Sequence, residues 1–123
     1  MIQQILLIDD DPVINFVNSK IVAKKFDDTP IFIFEDGKKA LEHLKTNSNH
    51  SFLIFLDLNM PIMNGWEFME AISSETPNLD IQVHIITSSV DPSDQAKAAQ
   101  YKQICSYLVK PLKASNLEKL TGI

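Results

Sequence analysis

Five side chains suited to handling a phosphoryl group follow apolar runs in this chain. They are Asp9 and Asp10 after Ile5 to Ile8, Asp57 after Phe52 to Leu56, Thr87 after Ile81 to Ile86, and Lys110 after Ile104 to Val109. Open parallel sheets bind their ligands just outside the carboxyl ends of the strands, so an acid that follows a buried strand stands where chemistry is done. Three carboxylates gathered at one edge repel, each close pair costing on the order of a few kcal/mol at an effective dielectric of about 20. A hard divalent cation offsets that repulsion: Mg²⁺ (or Mn²⁺) binds through one or two carboxylates, keeps several waters and leaves room for phosphate oxygens. Thr87 adds a hydroxyl and Lys110 a mobile positive charge. Cation, ammonium and hydroxyl can each take an equatorial oxygen while Asp57 attacks phosphorus in line, giving an aspartyl phosphate. A carboxylate attacks in its ionised form, so this chemistry needs no general base.

Such convergence demands a particular set of elements. Ile5 to Ile8 reads as a strand, followed by a helix from Val13 with Asp11 as its N-cap and Pro12 at the first position. Along that helix Val13, Phe16, Val17, Ile21 and Val22 recur as a broad apolar face. Ile31 to Phe34 is a second strand, leading through Glu35-Asp36-Gly37 to a helix with Ala40, Leu41 and Leu44 that ends at Asn47-Ser48-Asn49. Phe52 to Leu56 has the length and composition of a strand buried on both faces. Pro61 stiffens the loop after it and Asn64-Gly65 turns it, before a helix through about Ser74 that carries Trp66, Phe68, Met69 and Ile72. A strand at Ile81 to Ile86 precedes a helix from Asp91-Pro92 to about Tyr101. The last strand, Ile104 to Val109, precedes a short helix from Ala114 to Leu120. Strict β-α alternation implies a doubly wound, five-stranded parallel sheet of the flavodoxin-like type, with helices on both faces. The simplest order is 2-1-3-4-5, which sets the ends of strands 1 and 3 side by side at the switch point.

With these residues in this order, the chain resembles a receiver domain of the two-component response regulators, of the single-domain chemotaxis-regulator-like type, over essentially its full length. The resemblance rests on the acidic pair Asp9-Asp10, on Asp57, on the Met-Pro-x-Met-x-Gly loop from Met60 to Gly65, on Thr87, and on Lys110-Pro111. It implies that Asp57 is the phosphoacceptor and Asp10 the direct metal ligand, with Asp9 acting through water and Asn59 lending its backbone carbonyl. Thr87 and Lys110 would bind phosphoryl oxygens, Lys110-Pro111 would be cis, and Tyr107 would be the aromatic partner of a switch with Thr87. The phosphodonor would be a histidine kinase or a histidine phosphotransfer protein, and output would pass to a separate downstream protein. Such a domain catalyses only its own phosphorylation and dephosphorylation, and exists as a monomer or weak homodimer. Three positions depart from the usual pattern: Asn64 stands for the more frequent Asp, Leu112 for Phe, and Ser88 for Ala or Gly.

Composition narrows the alternatives. At 123 residues, 45% of them hydrophobic, the chain is expected to form one domain, residues 1–123, without an effector domain. A formal charge of -5 argues against binding nucleic acid, whose affinity is built from clustered Lys and Arg. No run approaches the roughly 18 apolar residues of a membrane span and no signal peptide is evident, so a cytoplasmic protein without a membrane partner is expected. The one cysteine, Cys105, excludes an internal disulfide and reads as a small buried residue. His43, His50 and His84 share no metal-ligand spacing and read as surface or packed residues. Trp66 reads as a half-buried helix residue near the acids, placed to report on ligands. Taken singly, Thr87 is an ordinary strand-end hydroxyl and Lys110 a surface lysine; joint placement gives them weight. A second reading takes Asp9-Asp10-Asp11-Pro12-Val13 as the opening motif of a haloacid-dehalogenase-type phosphatase, with Asp9 as nucleophile and Asp11 as acid/base. That reading leaves Asp57 idle and lacks the further acidic pair after Lys110, where only Glu118 follows.

Overall fold

The computed structural model describes residues 1–120; the last three residues of the expected domain, Thr121 to Ile123, lie outside them. Five strands, β1 (Gln4–Ile8), β2 (Ile31–Phe34), β3 (Ser51–Leu56), β4 (Asp80–Thr87) and β5 (Ile104–Val109), alternate with five helices. The helices are α1 (Pro12–Lys25), α2 (Gly37–Thr46), α3 (Gly65–Glu75), α4 (Pro92–Ala98) and α5 (Ala114–Lys119). Every strand pair is parallel and the order is β2-β1-β3-β4-β5. The expected 2-1-3-4-5 sheet is the one that forms, with β1 and β3 adjacent where the winding reverses. Among the described residues, no helix is long and apolar enough to cross a membrane.

Strand alternation divides the apolar residues between two cores. Leu6, Ile8, Phe52, Ile54 and Ile85 face α2 and α3, meeting Leu44, Phe68, Met69 and Ile72. Ile5, Leu7, Leu53 and Phe55 face the other way, meeting Val22 of α1 and Leu117 of α5. Because both faces are covered, β1 and β3 are buried at every position, which explains why they read as unbroken apolar runs. Full burial of a Leu, Ile or Phe side chain contributes about 1.5–3 kcal/mol, so these two strands anchor the site they carry. Leu112, which stands where the family commonly has Phe, is buried in the α1–α5 core.

Helix α1 does not face the sheet as its apolar spacing predicts. Val13, Phe16 and Val17 are 68%, 60% and 48% exposed, while Asn15, Asn18 and Val22 turn inward. The cap sets this phase. The Asp11 carboxylate accepts the Val13 and Ile14 N–H groups, Pro12 begins the helix, and the Asn15 amide bonds back to the Asp9 carbonyl. Cys105 is also not where the sequence puts it. Val83 pairs with Ile104 and His84 with Ser106, so Cys105 is the extra residue of a β-bulge on the edge strand β5, and it is exposed. Helix α4 ends at Ala98, short of the expected Tyr101, because the chain tightens into a turn in which the Tyr101 N–H donates to the Ala98 carbonyl.

His84 is buried between the sheet and the α1–α5 layer, its ring stacked on Phe55 and its Nδ1 2.7 Å from the Ser106 hydroxyl. Burial lowers its pKa from 6.5 to about 4, so the folded protein holds the ring neutral where the unfolded chain would protonate it. Stability is therefore complete above pH 6.5 and falls as the pH drops toward about 4. By pH about 5 the expected loss is on the order of 2 kcal/mol. Urea unfolding at neutral pH and at that pH should give a fall in wild type that His84→Phe, which keeps the stack and cannot protonate, largely removes.

Candidate functional site

The strand ends build one cluster. Asp9 and Asp10 leave β1, Asp57 leaves β3, and one ligand atom from each lies within 4.8 Å of the other two. Asp9 and Asp57 are buried and Asp10 is exposed. Lys110, from the end of β5, lies with its Nζ 2.8 Å from Asp9 Oδ2 and 3.4 Å from Asp57 Oδ2. Its peptide bond to Pro111 is cis. Asp9 is fixed by its surroundings: Oδ1 accepts the Asp11 N–H at 2.9 Å, the carbonyl accepts Asn15 Nδ2 at 2.7 Å, and its own N–H donates to the Phe34 carbonyl at 3.1 Å. Asp11 caps α1, and its carboxylate is spent on the backbone N–H groups of that helix.

Burial is the largest influence on Asp9 and raises its pKa; the Lys110 and Asp11 hydrogen bonds oppose it, the Asp57 charge adds to it, and the net shift is upward. Burial opposes the charge on Lys110, yet the hydrogen bond to Asp9 and the charges of Asp57 and Asp9 outweigh it and hold the ammonium above its ordinary value. The Lys110 ammonium does not fully offset the burial of Asp9 and, to a smaller extent, the Asp57 charge beside it, so added positive charge would favour the ionised Asp9. Among the described residues Asp57 Oδ1 is buried and accepts no hydrogen bond, which leaves this carboxylate an unused oxygen for a cation. Oxygen donors of this kind, partly exposed at Asp10, suit a hard divalent ion that keeps some of its water.

The loop after β3 holds Asp57 in place by close packing. A Cβ on Gly65 would lie 2.7 Å from the Asp57 carbonyl oxygen and 2.7 Å from Leu58 Cα, and the Gly65 N–H donates to the Leu58 carbonyl at 3.0 Å. The turn is made differently from the sequence expectation. Asn64 is an extended N-cap in a reciprocal capping box with Glu67, and the left-handed residue is Ile62, at φ 68°. Asn59 is exposed and lines an open cleft with Leu58, Trp66 and Asp94.

At the end of β4, Thr87 is fully buried and its hydroxyl accepts the Ser89 N–H at 3.3 Å. Ser89 is a junction. Its carbonyl accepts the Tyr107 hydroxyl at 3.0 Å and its own hydroxyl donates to Asp94 Oδ2 at 2.7 Å, while Asp94 Oδ1 accepts the indole N–H of Trp66 at 3.2 Å. Trp66 also stacks on Tyr101 and carries the Lys97 ammonium 5.0 Å above its ring. Helix α4 buries only Ala98, so these polar and aromatic contacts to α3 do much of its anchoring. Sequence reasoning missed Ser89, Asp94 and Asn15. The first two offered no periodic signal, but Asn15, Asn18 and Val22 stand at i, i+3 and i+7, a helix face that the greater hydrophobicity of their neighbours concealed.

The model of the response regulator receiver domain matches residues 5–121. An uncharacterised response regulatory protein of Staphylococcus epidermidis is 30% identical over 121 residues, covering 98% of this chain and 45% of its own length. The Arabidopsis thaliana two-component response regulator ARR12 is 31% identical over 84 residues, 68% of this chain and 13% of its own. The chain thus spans less than half the length of these curated relatives. A two-component response regulator from Cytophaga hutchinsonii has the same fold at a TM-score of 0.79 and 33% identity, over 95% of this chain and 92% of that one. Since the family match runs from β1 past the end of α5, on a fold shared with a solved response regulator, this chain belongs to the response regulator receiver domains.

Proposed function

We propose that residues 1–123 make one receiver domain that works as a phosphorylation switch, with Asp57 as the acceptor. The phosphoryl group comes from a phosphohistidine of a histidine kinase or phosphotransfer protein. A carboxylate oxygen of Asp57 forms the new P–O bond, the P–N bond to the donor imidazole breaks, and the departing nitrogen takes a proton from solvent. Asp10, Asp57 and the Asn59 carbonyl would hold Mg²⁺ (or Mn²⁺), with Asp9 reaching it through water. The ion, when bound, neutralises charge on the phosphoryl oxygens. Lys110 places its ammonium on a second phosphoryl oxygen and Thr87 its hydroxyl on a third. The observation that carries this reading is the meeting of Asp9, Asp10 and Asp57 within 4.8 Å, with Lys110 against two of them, on a receiver fold. Acetyl phosphate with Mg²⁺, followed by borohydride reduction and peptide mapping, should mark Asp57; a mark on Asp9 would favour the phosphatase-type reading and overturn this one.

The donor has a surface to meet. The outward Val13, Phe16 and Val17 of α1 adjoin an apolar groove of about 150 Å³ that Val13, Ile14 and Val17 share with Lys110 and Pro111. A helix-bearing phosphodonor seated there would bring its phosphohistidine to the Lys110 end of the site. Phe16→Asp should slow transfer from a protein donor about tenfold or more, at a cost of roughly 1.4 kcal/mol or above, and leave labelling by acetyl phosphate unchanged. Equal rates from the protein donor would remove α1 as the docking face. On phosphorylation Thr87 turns toward the phosphoryl group and draws on Ser89, whose bonds to Tyr107 and Asp94 pass the change to the surface of α4, β5 and α5. Output is then the altered affinity of that surface for a separate protein, and the domain turns over no substrate beyond its own phosphoryl group. A cytoplasmic location and a monomeric or weakly dimeric state accompany this proposal.

A further inference from the structure

Helix α1 turns two amides toward the core and three large apolar side chains toward solvent. That is the reverse of what burial alone would select, because an amide taken out of water must regain its hydrogen bonds. Asn15 regains only one end: it is 1% exposed, its Nδ2 donates to the Asp9 carbonyl at 2.7 Å, and its Oδ1 is buried without a partner among the described residues. Asn15 also borders a small cavity of about 10 Å³ that Asn18, Asp9 and Asp57 share, close to the smallest space that holds one water.

We propose that Asn15 is a positioning residue for the acid cluster: by holding the Asp9 carbonyl from the inner face of α1, it fixes how Asp9 and Asp10 are presented to Asp57. The Asp9 carbonyl belongs to the peptide that joins Asp9 to Asp10. Its C=O direction therefore sets the plane from which Asp10 departs. Asp9 is held at its other polar groups by Asp11, Lys110 and Phe34, and the Asn15 bond ties its carbonyl to the buried face of α1. The carboxylate of Asp10 is exposed, and its aim toward the cluster depends on the backbone beneath it. Groups that orient metal ligands without touching the ion typically change metal affinity by 10–100-fold when removed. The role rests on reading the cluster as a divalent-cation site.

The test is Mg²⁺ binding by calorimetry, with thermal melting in the absence of Mg²⁺, for wild type, Asn15→Leu and Asn18→Leu. Both substitutions place an apolar residue on the same buried face, and Asn18 makes no hydrogen bond to Asp9 or Asp10. Asn15→Leu should bind Mg²⁺ about tenfold more weakly than wild type. Asn18→Leu should stay within about twofold of wild type, with the two variants melting within a few degrees of each other. Equal Mg²⁺ affinity in the two variants overturns the proposal. Asn15→Ala is the second variant, removing the amide without adding bulk: weakened Mg²⁺ binding in a folded chain supports the role. Wild-type affinity, or failure of both Asn15 variants to fold, assigns the residue to stability alone and overturns it. Wild type that binds no Mg²⁺ and takes no label on Asp57 refutes the proposed function; wild type that does both, beside an unaffected Asn15→Leu, refutes only the role of Asn15.

Discussion

Asp57→Asn is expected to lose labelling by acetyl phosphate by on the order of 10³-fold or more while keeping its fold, as read by mass spectrometry and circular dichroism. The substitution preserves shape and exchanges a nucleophilic carboxylate oxygen for an amide. It also removes one of three charges that share a space of 4.8 Å and one partner of Lys110, which lies 3.4 Å away. Losing a repulsion offsets losing an attraction, so the melting temperature without Mg²⁺ should move by only a few degrees. Mg²⁺ should bind less tightly, since an amide oxygen is a weaker ligand for a hard cation than a carboxylate. Asp9→Asn keeps Asp57 and should retain measurable labelling. A variant at position 57 that is still labelled as fast as wild type would mean that phosphorus is carried elsewhere.

Gly65→Ala should be strongly destabilising for a single added methyl group, at about 3 kcal/mol by urea unfolding. The added carbon would stand 2.7 Å from both the Asp57 carbonyl and Leu58 Cα, and neither atom can move without moving the end of β3. Since Asp57 leads that segment, the same variant should lose Mg²⁺ affinity as well as stability. Gly37→Ala is the comparison. Its new carbon would meet the Met63 carbonyl at 3.0 Å and the flexible Met63 side chain at 3.1 Å, so a shift of a few tenths of an ångström relieves most of the crowding. A loss of about 1 kcal/mol is expected there. Equal losses at the two glycines would mean that close approach to β3 is not the reason for Gly65.

The strand order and the gathering of the acids were readable because both follow from one-dimensional features. Apolar runs of strand length alternated with capped helices, and each reactive residue directly followed such a run, so the topology carried the side chains with it. What escaped the sequence depended on phase and on local backbone. Val13, Phe16 and Val17 are more hydrophobic than Asn15 and Asn18 and suggest a buried face, yet the cap at Asp11 and the bond from Asn15 to Asp9 rotate them into solvent. Cys105 lies in a run that reads as a continuous strand, and no residue of that run announces the bulge that expels it. Asn64-Gly65 carried a turn signal, but the capping box took the asparagine and the left-handed backbone fell to Ile62, a residue that rarely adopts it. Ser89 and Asp94 belong to a network whose partners lie on three different elements, a relation that no local pattern encodes.

The bulge at Cys105 bears on how copies of this domain coexist when crowded. β5 is a border of the sheet, and an uninterrupted border is a template on which another chain can lay a strand of its own. Here the ladder slips by one residue between Ile104 and Ser106, which locally twists the strand and breaks the even spacing of its outward N–H and C=O groups. A second β5 brought alongside would fall out of step after a residue or two. The irregularity thereby works against strand-by-strand growth into fibrils at the side of the molecule where the proposed switch would present its output.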